Sequence, residues 1–99
     1  WPLFRTVGTE ALMQHIDNML VFYKKRNLDG VFCFYMHPWE FHPMPQGEIA
    51  YGEGQVRPDP FIVKNCGEYA AAQLRILIEK LQADGTEFVT ARAVAESMS

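Results

Sequence analysis

The chain has 99 residues and a net charge of −3, which argues against nucleic acid as a partner because phosphate binding needs clustered Lys and Arg. Hydrophobic residues make up 48% and charged residues 21% of the chain, as in an ordinary globular domain. No apolar stretch approaches the roughly 20 residues that cross a bilayer, so we expect no membrane span.

The first predicted element is an amphipathic helix over residues 10–26, preceded by a non-helical lead-in at residues 1–8. Thr9 is the predicted N-cap, because its hydroxyl is suited to accept from a free N–H of the first turn. The sequence at 27–30, Asn-Leu-Asp-Gly, is typical of the turn that ends a helix. Apolar side chains recur at helical spacing along the predicted helix, namely Leu12, Ile16, Met19, Leu20 and Tyr23.

An uninterrupted apolar run, residues 31–36, follows this turn. Its aromatic and β-branched composition predicts a strand covered on both faces. The strand ends at Pro38, because proline has no N–H to give to a sheet. His37 therefore lies at the carboxyl end of a strand, where α/β folds place ligands and catalytic groups. We regard it as the strongest candidate for a functional side chain, with a hydrogen-bonded structural histidine as the alternative.

A long connection, residues 38–65, separates the two halves of the chain. It holds five of the six prolines, and loops of this length are usually functional or disordered. The aromatic residues along it favour an ordered loop that folds over a site; they are Trp39, Phe41, Tyr51 and Phe61.

The C-terminal part predicts a helix over residues 67–83 that stops at Asp84-Gly85, a short strand at Phe88-Val89, and a last helix capped by Thr90. The order is helix, strand, long loop, helix, strand, helix, which indicates an α/β fold. Two strands cannot cover an all-apolar strand on both sides. We therefore expect residues 1–99 to be a single segment of a larger α/β protein, or to pair with another chain.

Free thiols at Cys33 and Cys66 are too few for a disulfide framework or a metal cluster. Cys33 lies in the apolar run and is predicted to be a small buried side chain. Unpaired cysteines favour a reducing compartment, so a cytoplasmic location is the weak expectation.

Residues 34–41, Phe-Tyr-Met-His-Pro-Trp-Glu-Phe, resemble the closing motif of polysaccharide deacetylases of the NodB-homology type. The match is nearest to the branch associated with exopolysaccharide synthesis. Residues 74–90 resemble the helix, glycine turn and Phe-Val-Thr strand that end such proteins, and Phe4-Arg5 weakly resembles an aromatic-Arg segment before the first helix. The resemblance spans almost the whole chain, as the C-terminal third of such an enzyme.

The resemblance implies the C-terminal portion of a distorted (β/α) barrel that removes acetyl groups from N-acetylated polysaccharides or oligosaccharides. In this family a divalent, zinc-like metal is bound by an Asp and two histidines, an Asp is the general base, and a late-strand histidine protonates the departing amine. His37 matches that histidine. The family's Asp-Asp and His-x-x-x-His motifs are absent, so the chain alone is expected to be inactive without the N-terminal part of the domain.

Two neighbours of His37 complete the predicted site. Trp39 either stacks on a sugar ring or plugs the mouth of the barrel. Glu40 either hydrogen-bonds substrate or orients His37, with a cap or a salt bridge inside the loop as the structural alternative. A metal site made of His37, Glu40 and His42 is disfavoured, because the segment after Pro38 fixes no ligand geometry. The alternative function is a non-catalytic α/β interaction module, or a barrel remnant, that binds a partner through its aromatic loop.

Overall fold

The computed structural model describes residues 3–99 of the chain. Its elements follow one another in this order: α1 (Leu3–Thr6), α2 (Thr9–Lys25), a 3₁₀ helix (Pro38–Phe41), β1 (Ile49–Ala50), β2 (Gln55–Val56), α3 (Glu68–Ala83) and α4 (Ala91–Ser97). Helices α1, α2 and α3 pack against one another. Within residues 3–99 no helix has the length and apolar character needed to cross a membrane.

Helix α2 confirms the predicted first helix to within one residue at each end, but the predicted N-cap is wrong. Gly8 is the N-cap, with φ 94°, and Thr9 is the first helical residue. The Thr9 N–H donates to Gln73 Oε1 at 2.8 Å and its hydroxyl donates to the Gln73 carbonyl at 2.7 Å. Because Gln73 belongs to α3, Thr9 joins two helices in place of capping one.

Helix α3 confirms the second predicted helix and the stop that follows it. Asp84 is the C-cap, and Gly85 takes a φ of 80°, which costs glycine little. The Gly85 N–H donates to the Gln82 carbonyl and the Thr86 N–H donates to the Leu81 carbonyl, both at 3.0 Å. These two bonds form a Schellman motif, which satisfies the last carbonyls of the helix.

Helix α4 begins as predicted, because the Thr90 hydroxyl accepts a hydrogen bond from the Ala93 N–H at 3.1 Å. The sequence predicts that the apolar side chains of this helix, Ala91, Val94 and Ala95, face inward; the two alanines are exposed instead, while Val94 is half-buried. Among the residues that the structure describes, α4 packs against no other helix. Its inward face therefore has nothing to cover it.

The lead-in at residues 1–8 was predicted to be non-helical, yet Leu3–Thr6 forms α1; Trp1 and Pro2 lie outside the described residues. A single helical turn is unstable alone, because the entropy lost in ordering its backbone exceeds the free energy gained from its one hydrogen bond. Tertiary contacts hold it: Phe4 is buried and stacks on Phe41 with ring centroids 6.2 Å apart.

The long connection at 38–65 is divided into the 3₁₀ helix, the β1–β2 hairpin and a series of turns before α3. The hairpin is antiparallel, with Ile49 opposite Val56. Of the aromatic residues in this connection, Phe41 packs inward on Phe4, while Tyr51 and Phe61 are exposed. Only Phe41 of these three side chains therefore packs inward, and the folding of this loop over a site stays a prediction.

The predicted strands at 31–36 and 88–89 are not strands here, since β1 and β2 form the one sheet within residues 3–99. Apolar composition predicts that side chains will be covered, but a strand also needs a hydrogen-bonding partner. Without one, both segments leave apolar side chains in solvent: Val31 is 45%, Tyr35 65% and Val89 57% exposed. Cys33, expected to be buried, is exposed for the same reason. Membership of a barrel stays a prediction.

The hydrophobic core lies between α2 and α3 and is small. Ile16, Leu77 and Leu81 form its buried centre, and half-buried apolar side chains pack around them, namely Leu12, Met13, Phe32 and Leu74. The chain exposes 7677 Å², whereas a compact protein of its mass would expose about 5,800 Å². The radius of gyration is 17.4 Å, against about 13 Å for a compact 100-residue domain. The chain is therefore elongated, and much apolar surface is uncovered.

Replacement of Leu77 by Ala is expected to lower the free energy of unfolding by about 2–4 kcal/mol, because it leaves a cavity at the centre of this core. Ile76→Ala is the matched control, since Ile76 is the preceding residue of α3 and is 37% exposed; its loss should be clearly smaller. Urea unfolding followed by circular dichroism measures both. Equal losses would show that the α2–α3 interface is not the main core.

Candidate functional site

A fully buried ion pair joins the N-terminal turn to the 3₁₀ helix. Arg5 Nε lies 2.7 Å from Glu40 Oε1, and both side chains have 0% exposure. Arg is always charged in proteins, so Glu40 is held as a carboxylate that only accepts hydrogen bonds. Burial of two charges is costly unless their remaining donors and acceptors are also satisfied. The other contacts of both groups therefore decide whether this arrangement is stable.

Arg5 uses its remaining donors on the segment that leads into α3. Its two Nη atoms donate to the carbonyl oxygens of Lys64, at 2.5 Å, and of Ile62, at 2.8 Å. The Arg5 carbonyl in turn accepts from Asn65 Nδ2 at 2.8 Å. The guanidinium thus joins three parts of the chain that are far apart in sequence.

Glu40 uses its second oxygen to hold the start of the 3₁₀ helix. Its Oε2 accepts a hydrogen bond from the His37 backbone N–H at 2.7 Å. Pro38 occupies the first helical position, where its missing N–H costs nothing. The Glu40 carbonyl accepts from the Gly67 N–H at 2.9 Å, next to the start of α3. The backbone around His37 is therefore fixed by a buried side chain.

The imidazole of His37 lies between this carboxylate and a tyrosine. Its Nδ1 is 3.3 Å from Glu40 Oε2, and its Nε2 is 2.9 Å from the Tyr35 hydroxyl oxygen. The ring stacks on Trp39, with centroids 5.3 Å apart and an interplanar angle of 19°. The side chain is 32% exposed, so it is anchored on one side and open on the other.

The partners of His37 differ in the tautomer that they require. A carboxylate cannot donate, so a bond between Nδ1 and Glu40 Oε2 requires the hydrogen on Nδ1. The Glu40 backbone N–H also faces the His37 side chain in a capping box, and that contact requires a lone pair on the ring. With the hydrogen on Nδ1, Nε2 of the neutral ring is the acceptor, and the Tyr35 hydroxyl donates to it. In the imidazolium form Nε2–H donates to the Tyr35 oxygen. A carboxylate behind the first nitrogen of an imidazole is the arrangement that orients histidine for acid–base chemistry at the second.

The structure brings the three predicted site residues together. His37 and Trp39 are half-buried, and Trp39 also lies under the Arg5 guanidinium, 5.8 Å from its ring centroid. Glu40 has no exposed surface. In this conformation its carboxylate acts on Arg5 and His37, as the orienting and salt-bridge alternatives require, and it has no surface for contact with a substrate.

No group of three or more His, Cys, Asp and Glu side chains that would hold a metal ion occurs within residues 3–99. His42, which lies in the same loop as His37, is exposed, and its Nδ1 is 2.9 Å from the carbonyl of Pro43. The side chains described here therefore do not fit a divalent metal on their own.

Two residues of this network, Arg5 and Tyr35, were not identified as site residues from the sequence. Arg5 is separated from Glu40 by 35 positions, and no local pattern predicts such a contact. Tyr35 is two positions before His37 in a run assigned to buried packing. The spacing itself was the available signal, because residues two apart in an extended segment lie on the same face.

Cys66 lies at the edge of this network. Burial raises the pKa of its thiol, the Arg5 guanidinium acts in the opposite direction, and the Glu40 carboxylate adds a smaller upward contribution. A higher pKa leaves less thiolate at a given pH, so the thiol is a poor nucleophile near neutrality. The effect of burial exceeds that of Arg5, so this environment as a whole disfavours the Cys66 thiolate.

Searches of protein-family models, of curated proteins and of solved structures returned no match for this chain. The resemblance to deacetylases therefore depends on the residues of the motif alone. Any statement about function has to come from the geometry around His37.

The buried pair makes a prediction about stability. Arg5→Met and Glu40→Leu should each cost about 3–5 kcal/mol, because each leaves an unpaired buried charge. The double variant should cost less than either single variant, because it leaves neither charge unpaired in the interior. Urea unfolding measures the change in the free energy of unfolding for the two single variants and the double variant. If the single variants do not fold, recovery of helical circular dichroism in the double variant also shows that the two residues are coupled.

The control for the pair is Glu10→Ala. Glu10 lies 4.0 Å from Lys80 on the surface and is 95% exposed, and ion pairs of this kind contribute little. Its stability should be close to that of the unchanged chain. Strictly additive losses for the buried pair would contradict the coupling that its geometry requires.

The raised pKa of Cys66 predicts slow alkylation. Iodoacetamide at pH 8 should modify the exposed Cys33 first, and Cys66 should react appreciably only as the pH is raised further, since only the thiolate reacts. Mass spectrometry of peptides after timed quenching resolves the two sites. Equal rates at pH 8 would show that the Cys66 thiol is not protected by burial.

Proposed function

We propose that this chain is part of a metal-dependent carbohydrate N-deacetylase in which His37 donates a proton to the departing amine. The observation that carries the proposal is the position of the imidazole between a buried carboxylate and solvent. Nδ1 faces Glu40 Oε2 at 3.3 Å and the side chain is 32% exposed. One nitrogen is thereby anchored, and the other is directed toward the open side.

The reaction is the hydrolysis of an acetamide on a sugar. Water adds to the carbonyl carbon, the C–N bond of the tetrahedral intermediate breaks, and its electron pair goes to nitrogen. An amide anion is a poor leaving group, so nitrogen must be protonated as the bond breaks. His37 supplies that proton from Nε2 and becomes neutral. The Glu40 carboxylate stabilises the imidazolium before transfer and holds the ring in one orientation.

Residues outside 1–99 supply the metal ligands and the general base in this proposal. The described side chains do not form a metal site, and no step of the mechanism above is assigned to a metal. The partner of the chain is the N-terminal part of the same domain, and the substrate is an N-acetylated polysaccharide or oligosaccharide. A cytoplasmic location is part of the same proposal.

The test uses the full-length protein and an N-acetylated oligosaccharide, with release of acetate as the readout. His37→Ala is expected to lower kcat by about 10²–10⁴-fold, the usual contribution of a general acid. Its stability should change little, because the backbone N–H that bonds Glu40 remains. His42→Ala is the matched control, since His42 is exposed and its ring lies within hydrogen-bond distance of the neighbouring Pro43 carbonyl, away from the His37 network.

Two results would contradict the assignment. Retention of activity in His37→Ala would remove the proton-donor role. A large loss of stability, with activity retained in the fraction that folds, would make His37 a structural histidine. Thermal unfolding of the same preparations separates these results.

A second candidate function is a non-catalytic module that binds a partner protein. It is favoured by the exposed aromatic side chains of the long connection, since Tyr51 is 66% and Phe61 57% exposed. Exposed aromatic residues are enriched where proteins bind one another. In that case the full-length protein releases no acetate, with or without added divalent metal, and Tyr51→Ser and Phe61→Ser weaken association without changing the fold.

A further inference from the structure

We propose that Tyr35 relays the proton from His37 to the departing amine. The inference rests on the proposed deacetylase function and assigns a second residue to the same step. The Tyr35 hydroxyl oxygen lies 2.9 Å from His37 Nε2, the nitrogen that the Glu40 contact leaves available. The rings meet edge to face, with centroids 4.8 Å apart.

Tyr35 is also the open end of the network. Tyr35 is 65% exposed, whereas His37 is half-buried. A substrate that approaches the imidazole from solvent therefore meets the phenol hydroxyl beside Nε2. A hydroxyl is suited to this place because it accepts one hydrogen bond and donates another at the same time.

The contact does not depend on residues 31–36 being unpaired. Positions 35 and 37 are two apart, and residues two apart in a strand project to the same face. Pairing of this segment with a neighbouring strand would keep the phenol and the imidazole side by side. The 2.7 Å bond from the His37 N–H to Glu40 fixes the imidazole end in either case.

The relay balances in protons and electrons. The imidazolium Nε2–H is transferred to the Tyr35 oxygen, while the phenol O–H is transferred to the nitrogen of the breaking C–N bond. The electron pair of that bond becomes the lone pair of the protonated amine. His37 ends as neutral imidazole, Tyr35 ends unchanged, and the acyl part leaves as acetate after the addition of water.

The kinetic test compares Tyr35→Phe with Tyr69→Phe in the full-length protein. Tyr69 is the matched control because it is also exposed, at 43%, and lies in α3, outside the His37 network. Tyr35→Phe removes only the hydroxyl and should lower kcat by about 10-fold or more, within the range of acid–base catalysis. KM and thermal stability should stay unchanged, and Tyr69→Phe should leave kcat unchanged.

A second measurement tests the contact without any reference to activity. Diethyl pyrocarbonate reacts with the free lone pair of a neutral imidazole. In His37 the Nε2 lone pair accepts a hydrogen bond from the Tyr35 hydroxyl. Tyr35→Phe should therefore speed carbethoxylation of His37 by about fivefold, the factor for one hydrogen bond of ordinary strength. The exposed His15 and His42 are internal references, and mass spectrometry resolves the three sites.

The outcomes separate the relay from the proposed function. Loss of kcat in Tyr35→Phe, with faster labelling of His37, supports the relay. Full activity in Tyr35→Phe together with loss in His37→Ala overturns the relay and leaves the proposed function intact. Absence of acetate release from the unchanged protein overturns both. An unchanged rate of His37 labelling in Tyr35→Phe would show that the Tyr35 hydroxyl does not bond to His37 Nε2, and this would overturn the relay.

Discussion

The position of His37 depends on the buried ion pair between Arg5 and Glu40, because the same Glu40 carboxylate holds both the backbone and the ring of His37. Arg5 and Glu40 are both inaccessible to solvent and lie 2.7 Å apart. Desolvation of two such charges costs several kcal/mol for each, and their mutual attraction offsets this only when the other donors and acceptors are satisfied. Here the remaining bonds to the 62–65 segment and to the His37 N–H meet that requirement. The site is therefore a consequence of one buried pair and its hydrogen bonds.

This pair is important because the rest of the chain is loosely packed. The buried centre of the core is formed by Ile16, Leu77 and Leu81, and the exposed area is well above that of a compact protein of this mass. A small core fixes the angle between α2 and α3 but reaches only part of the chain. Polar contacts fix the 3₁₀ helix instead, and such contacts have narrow requirements for distance and angle. The contacts that fix the backbone around His37 are therefore polar and lie outside the hydrophobic core.

The sequence predicted those features whose causes are local. Helices α2 and α3 follow from apolar periodicity, and the start of α4 follows from a hydroxyl at Thr90 that lies three residues from its donor. Thr9 failed as a cap because its partner, Gln73, is 64 positions away. Arg5 was missed for the same reason. The apolar run 31–36 was predicted to be a covered strand, but four of its six residues are exposed. A covered strand requires a second strand beside it, which composition does not specify.

The same bonds limit how the apolar run can pair with any neighbouring strand. Pro38 has no N–H, and the His37 N–H is already donated to Glu40. A ladder along residues 31–36 must therefore lose its N–H donors after Met36, whatever strand lies beside it. The imidazole then always follows the last donor of the segment, and its ring stays tied to the buried carboxylate. This is the position that α/β proteins use for catalytic side chains, and in this chain it is set by Glu40 and Pro38, without any contribution from a completed sheet.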